Sequence, residues 1–289
     1  MTPNSSPTRK KRTFSLSNSV SHSVSHSLPL GVSRRRRLSL SWALAVALLC
    51  TSLSWGGAAS GKPGRRGLEA ARHALKTGDY DKALKTFVRG ARGRKRGEAW
   101  LGSGETLMET GRYKQAERYL KKAAKVRKVS LKAQTELARL EMKKGDLAAA
   151  RKRLEAVIKK DRLQFEARLL RGRLLLMTGS RIAANTVFKD FFRDLDNGYL
   201  KKSDPSHLLY LGRAARGQKS WQEASSTFEQ ASKKASGNPR IWLAWAELAL
   251  RKYRVDWADQ FYKKVLKINP NHPEALAGMA WVEWYAPRS

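Results

Sequence analysis

A small residue precedes a bulky apolar one by four positions at six places: Ala83 with Phe87, Ala116 with Leu120, Ala150 with Leu154, Ala184 with Phe188, Ala224 with Phe228 and Ala258 with Tyr262. Four positions is close to one helical turn, so each pair shares one helix face. The steps between successive alanines are 33, 34, 34, 40 and 34 residues. A single-core domain has no reason to keep such a period, whereas a stack of like supersecondary units must. Ahead of these pairs stand Gly78, Gly111, Gly145 and Gly179. They fall where a preceding helix has to stop and reverse, in the left-handed conformation that glycine reaches without strain. The pattern predicts six antiparallel helix pairs and a seventh first helix starting near Pro273. No such unit buries its apolar face alone, so function in this chain lies on an extended surface.

Within the first helix of each pair a small residue recurs at one place. Gly104, Gly172 and Gly212, with Ala71, Ala138 and Ala246 as equivalents, are expected to let that helix approach its partner closely. One period is six residues too long, and the surplus falls between Arg193 and Pro205. Asn197 and Gly198 read as a turn there, and Ser203 or Asp204 ahead of Pro205 reads as a helix start. Insertions in repeat arrays go to loops on one face, often the binding face, and loops also absorb added residues cheaply.

The residues inside each period resemble the tetratricopeptide repeat, whose pattern is Trp-x2-Leu-Gly-x2-Tyr, then Ala-x3-Phe, then Pro over 34 residues. Repeat two reads Trp100, Ser103, Gly104 and Leu107, then Gly111-Arg112-Tyr113, then Ala116 and Leu120. Repeat one supplies Gly78-Asp79-Tyr80, Ala83 and Phe87, and repeat three Gly145-Asp146-Leu147, Ala150 and Leu154. Repeat five has Leu211, Gly212, Trp221, Ala224 and Phe228, and repeat six Trp242, Trp245, Ala246, Ala258, Tyr262 and Pro270. Repeat four departs furthest, with Arg168 and Arg181 where aromatics are typical. The resemblance implies an all-α, right-handed superhelical solenoid of antiparallel helix pairs, about six repeats plus one further helix, over residues 61–289.

The first 60 residues differ in kind. Residues 1–37 carry Arg9, Lys10, Lys11, Arg12 and the run Arg34 to Arg37 among many serines, with no Asp or Glu, and read as disordered. Residues 38–60 hold an apolar stretch from Leu38 to Trp55 followed by small residues, the layout of a signal peptide cleaved after Ser60 or of an uncleaved anchor. Four arginines before the stretch outnumber the cations just after it, so the repeats are expected on the outer side, exported, periplasmic or membrane-anchored. A transit peptide would share the Arg-rich, Ser-rich, acid-poor composition, but the compact arginine block before a smooth apolar run fits export better. Cys50 is the only cysteine and follows Leu49, whereas lipidation calls for a small residue before it. Cleavage after Ser60 would leave a chain with no thiol, which removes disulfide and cysteine chemistry.

Charge sharpens this picture. Of 59 Lys and Arg, 8 stand in the first 60 residues, leaving 51 against 24 acidic residues in the array. Such a field attracts polyanions in a salt-dependent way. In the resembled family the concave surface is lined by the first helices. Counting along each repeat puts Arg72, Glu105, Arg139, Arg173, Arg213, Glu247 and Trp281 at one groove position. Three consecutive repeats therefore present Arg139, Arg173 and Arg213 as a ladder, beside Leu169, Leu209 and Leu243. Arginine forks next to apolar patches suit a partner segment carrying carboxylates. The lysine and asparagine clamp with which the family's chaperone-tail binders hold their ligand has no counterpart, because those asparagines are lacking.

Catalytic and metal chemistry finds no support. His73, His207 and His272 are scattered over separate repeats, where satisfied surface or capping roles are expected of them. There is no His-Glu-x-x-His, nucleophile elbow or phosphate loop. No cofactor or metal is expected. The last helix carries Leu276, Met279, Trp281, Val282, Trp284 and Tyr285, an aromatic end that calls for further sequence, a partner or self-association. The favoured reading is a non-catalytic scaffold of the cell envelope that binds an acidic protein partner, its basic outer faces near anionic membrane or envelope polymers. Polyanion binding, nucleic acid included, is the alternative. The adaptor portion of a larger enzyme is a second one. Against nucleic acid stands the place of Trp100, Trp242 and Trp245 at packing positions rather than interleaved with cations on one face.

Overall fold

A computed structural model describes residues 65–285. Its helices, in order, are α1 (Arg65–Thr77), α2 (Tyr80–Gly90), α3 (Arg96–Glu109), α4 (Tyr113–Ala124), α5 (Ser130–Lys144), α6 (Leu147–Lys160) and α7 (Phe165–Met177). Then follow α8 (Arg181–Asp196), α9 (Pro205–Gly217), α10 (Trp221–Lys234), α11 (Pro239–Arg251), α12 (Val255–Ile268) and α13 (Pro273–Tyr285). There is no strand among the described residues. Odd-numbered helices are the first members of six pairs, and α13 is the seventh first helix, as the period predicts. The expected segments over 1–37 and 38–60 lie outside the described residues. Among the described residues no helix is long and apolar enough to cross a membrane.

Local chemistry sets the helix ends. Asp79 accepts a hydrogen bond from the Lys82 N–H at 3.2 Å, Asp146 from Ala149 at 3.1 Å, and Asn238 from Arg240 at 3.1 Å. Asp204 caps α9 through the Ser206 N–H at 2.7 Å, with Pro205 as the first helical residue. At the reversal inside each pair the chain takes a positive φ: +85° at Gly78, +72° at Gly111, +85° at Gly145 and +80° at Gly179. Repeats five and six make the same turn without glycine, at Lys219 (φ 64°) and Tyr253 (φ 54°). A side chain in that region costs about 1–2 kcal/mol, partly offset by the smaller conformational freedom of the unfolded chain. Lys219→Gly is therefore expected to stabilise the array by up to about 1 kcal/mol in urea titration. A loss of stability would show that the Lys219 side chain itself holds the turn.

The core is a file of local clusters, one at each junction, rather than a single interior. Each first helix packs on its own partner and on the first helix of the next pair, so the first helices line one continuous face. Close approach inside the pairs has the predicted cause. A Cβ added at Gly172 would lie 2.5 Å from the Phe188 ring, and one at Gly212 would lie 2.5 Å from Phe228. The bulky members of the repeating pairs occupy the space that the missing side chains leave.

Two features go beyond the periodic scheme. The six extra residues after repeat four do not form a free loop: Leu200 is buried among Phe191 and Leu211, and its N–H donates to the Asp194 carbonyl at 3.0 Å. The first repeat also meets the sixth. Asn269 donates to the Tyr80 hydroxyl at 3.1 Å, Tyr80 donates to the Asn271 carbonyl at 3.3 Å, and the Asn271 amide donates to the Gly78 carbonyl at 3.1 Å. The array thus returns on its own start.

Candidate functional site

The chemistry of the face lined by the first helices is a network of charge. At its centre is Glu166, in the first turn of α7. Arg139 of α5 hydrogen-bonds to it, Arg240 of α11 donates to it at 3.1 Å, and Arg213 of α9 stands 3.7 Å away. Burial alone would raise the Glu166 carboxyl, but the three guanidiniums outweigh it and hold the group far below the usual carboxylate range. Arg139 also donates to Glu136 at 3.0 Å. Two carboxylates outweigh its own desolvation and keep it firmly charged. Arg213 gets less in return from its longer contact, so burial brings its pKa down to about 10.

The ladder expected at Arg139, Arg173 and Arg213 therefore exists in position but not in one state. Its two outer members converge on the array's own carboxylate, in the place where a ligand carboxylate was expected. Arg173 alone is exposed, with no hydrogen bond or ion pair among the described residues. The apolar half of the expectation fares differently. Leu169, Leu209 and Leu243 are 7%, 3% and 5% exposed and belong to the interhelical clusters. They support the helices and present almost nothing to a ligand, because neighbouring first helices close over that position. Leu176, two turns beyond Leu169 along α7, is 39% exposed and offers the apolar surface that they do not.

Glutamates complete the face, Glu105 and Glu247 at the groove position already counted and Glu98, Glu109, Glu136 and Glu166 outside that count. In repeats one to three Arg72 pairs with Glu98 at 2.8 Å, and Glu105, Glu109 and Glu136 lie beyond it. Burial pushes the Glu105 carboxyl up to about 7, with Glu136 adding to the rise and Arg240, Arg139 and Arg72 opposing it. In repeats four to six Arg216 hydrogen-bonds to Glu247, while Arg213 and Arg173 stand near. The face is thus polarised, with carboxylates in excess toward repeat two and guanidiniums in excess from repeat four onward. Opposite-sign residues within one repeat of each other, such as Arg139 and Glu166, were the available signal in the sequence, but reading only the ninth position of each repeat leaves out Glu166 and Arg240.

His207 accepts a hydrogen bond from the Lys201 N–H at 3.0 Å. His272 is 9% exposed, its Nδ1 has no partner among the described residues, and burial lowers its pKa, so it is not the satisfied surface or capping residue expected. Among the described residues no group of three or more His, Cys, Asp or Glu is placed to hold a metal ion. At the end of the array Trp281 is 54% and Trp284 70% exposed, while Val282 and Ala275 face the core.

Tetratricopeptide repeat family models match residues 68–128, 107–174 and 215–282. Among solved structures the chain is similar to the APC/C hetero-tetramer Cut9-Hcn1, at 18% identity and a TM-score of 0.48. That match covers 75% of this chain and 42% of the other, so the chain spans less than half of that relative's length. A thermophilic TPR protein of Thermus thermophilus matches at 21% identity and a TM-score of 0.49, over 65% of this chain and 99% of that one. YrrB, a TPR protein with an unusual peptide-binding site, matches at 16% identity and a TM-score of 0.35, over 68% of this chain and 100% of that one. No curated protein matches by sequence.

Proposed function

The chain belongs to the tetratricopeptide repeat family, an interaction-scaffold family, and on that premise we propose that it is a non-catalytic scaffold holding a partner protein against its first-helix face. The observation that carries this reading is Arg173. A guanidinium left exposed, with no hydrogen bond or ion pair among the described residues, between the engaged guanidiniums of Arg139 and Arg213 is a vacant donor set, and carboxylates match its fork. The partner segment is acidic where it crosses repeats four to six. Where it continues toward repeat two, a basic group on it meets Glu105 and Glu109.

Export fits the same reading. A basic run and an apolar stretch precede the array, and a scaffold with an excess of cations is suited to stand beside anionic lipid or envelope polymers. Self-association through the aromatic end formed by Trp281, Trp284 and Tyr285 is compatible with this role, since that end lies beyond repeats four to six, where the acidic segment is held.

The test is affinity capture with the full chain, wild type against Arg173→Glu. Reversing one charge in the middle of the face is expected to weaken capture of the partner by at least tenfold. Arg173 is exposed and makes no hydrogen bond or ion pair among the described residues, so the melting temperature should stay within about 2 °C, as for a surface substitution. A partner retained equally by both proteins sinks the reading. Binding of mixed-sequence DNA that is lost steeply with salt, and is unaffected by Arg173→Glu, would transfer the assignment to a polyanion binder.

A further inference from the structure

Repeat four breaks the pattern at three separate points, and all three meet at one cavity on the side away from the partner face. Its first helix carries Arg168 and Arg171 at the two places held by Trp100 and Ser103 in repeat two, Leu208 and Leu211 in repeat five, and Trp242 and Trp245 in repeat six. Its second helix buries Asp194, 1% exposed. It is also followed by the six-residue insertion, which ties its Leu200 back to the Asp194 carbonyl. Between α6, α7 and α8 these changes leave a cavity of about 300 Å³ lined by Arg162, Arg168, Arg171, Arg193, Asp190 and Asp194.

The arginines differ in what they already hold. Arg168 is 6% exposed, hydrogen-bonds to Asp194 and lies 4.7 Å over the Phe191 ring, which fixes its plane. Arg162 donates to the other Asp194 oxygen at 2.6 Å and stacks 5.4 Å from Tyr199 of the insertion. Arg193 pairs with Asp190. Arg171 has no hydrogen bond or ion pair among the described residues, although five other charged side chains line the same cavity. Four guanidiniums against two carboxylates leave the cavity with an excess of two positive charges. A purely structural cluster gains nothing from that excess, because an unpaired guanidinium facing three others in a concave site is repelled and left with idle donors.

We propose that this cavity is a binding site for a phosphomonoester. Such a group carries nearly two negative charges at neutral pH and oxygens that match several guanidinium forks at once. Arg171 would supply the open fork, and Arg162, already oriented by Asp194 and Tyr199, a second. The two Asp residues orient the donors and limit the site to a single dianion. The inference stands apart from the partner-face reading: it uses other residues, on the other side of the helices, and fails or holds by itself.

The experiment is isothermal titration of the full chain with phenyl phosphate and, separately, inorganic phosphate, at constant ionic strength. Variants are Arg171→Gln, Arg171→Lys and Lys189→Gln, the last removing one exposed charge from α8 outside the cavity. Saturable one-site binding is expected, weakened about tenfold to a hundredfold in Arg171→Gln and unchanged in Lys189→Gln, with Arg171→Lys between them because it keeps the charge and loses the fork. Binding of phenyl phosphate alone would place the phosphoryl group on a larger molecule, and equal binding of both would point to the free anion. Absence of saturable binding, or equal weakening in Arg171→Gln and Lys189→Gln, would overturn the proposal, since the array's diffuse charge would then account for everything seen.

Discussion

Glu166→Ala is expected to cost about 3 kcal/mol at pH 7, because it strands three guanidiniums that converge on one carboxylate. Arg139 keeps Glu136, so it loses least; Arg213, whose carboxylate contact among the described residues is with Glu166, loses most. The pH dependence gives the effect a signature. The folded state holds Glu166 far below the unfolded carboxyl value of 4.5, so its contribution is fully present above that value and fades as the pH falls. The wild type and the variant should therefore differ at pH 7 and converge as the pH is lowered toward 2. Urea titrations at pH 7 and pH 3 measure both. A gap that stays constant between them would mean that Glu166 acts through packing and not through its charge.

Phe228→Ala is expected to cost about 3–5 kcal/mol, as for other fully enclosed aromatics. The ring is fully buried between Leu208, Ile241 and Leu248, and it fills the hollow above Gly212. Nothing can move in to replace it, because the gap is bounded by helix backbone on the glycine side. In an array held by nearest-neighbour contacts the damage stays local. Amide exchange should accelerate in α9 to α11 while α1 to α4 remain protected. Uniform loss of protection along the whole array would show instead that the contacts of Tyr80 and Asn269 couple the ends strongly enough to make it unfold as one unit.

Turn and packing positions were legible because each is dictated locally. A reversal after a helix demands a positive φ, and Gly78, Gly111, Gly145 and Gly179 announce it; Lys219 and Tyr253 do not, since the same turn is imposed there by the packing of the pair. The groove was legible only halfway. Arg139 and Arg213 stand where the period puts them, but a count along one helix does not say what a neighbouring first helix brings. Glu166 and Arg240 are 74 residues apart and meet only because the array curves. The leucines beside the ladder went the same way, since whether a position lining a helix row is open or closed depends on how near the next row lies.

The amino-acid sequence by itself determined the repeat: its length, the number of helix pairs, the glycine and alanine contacts within a pair and the place of the insertion. All of these follow from interactions within about one repeat length of chain, and each recurs often enough to be read. Curvature was decided by the tertiary structure alone, because it accumulates from small rotations at every junction that no single residue encodes. That curvature brings Tyr80 to Asn269, sets three arginines around Glu166, leaves Arg173 open, and turns the irregularities of repeat four into a cavity with an unpaired guanidinium.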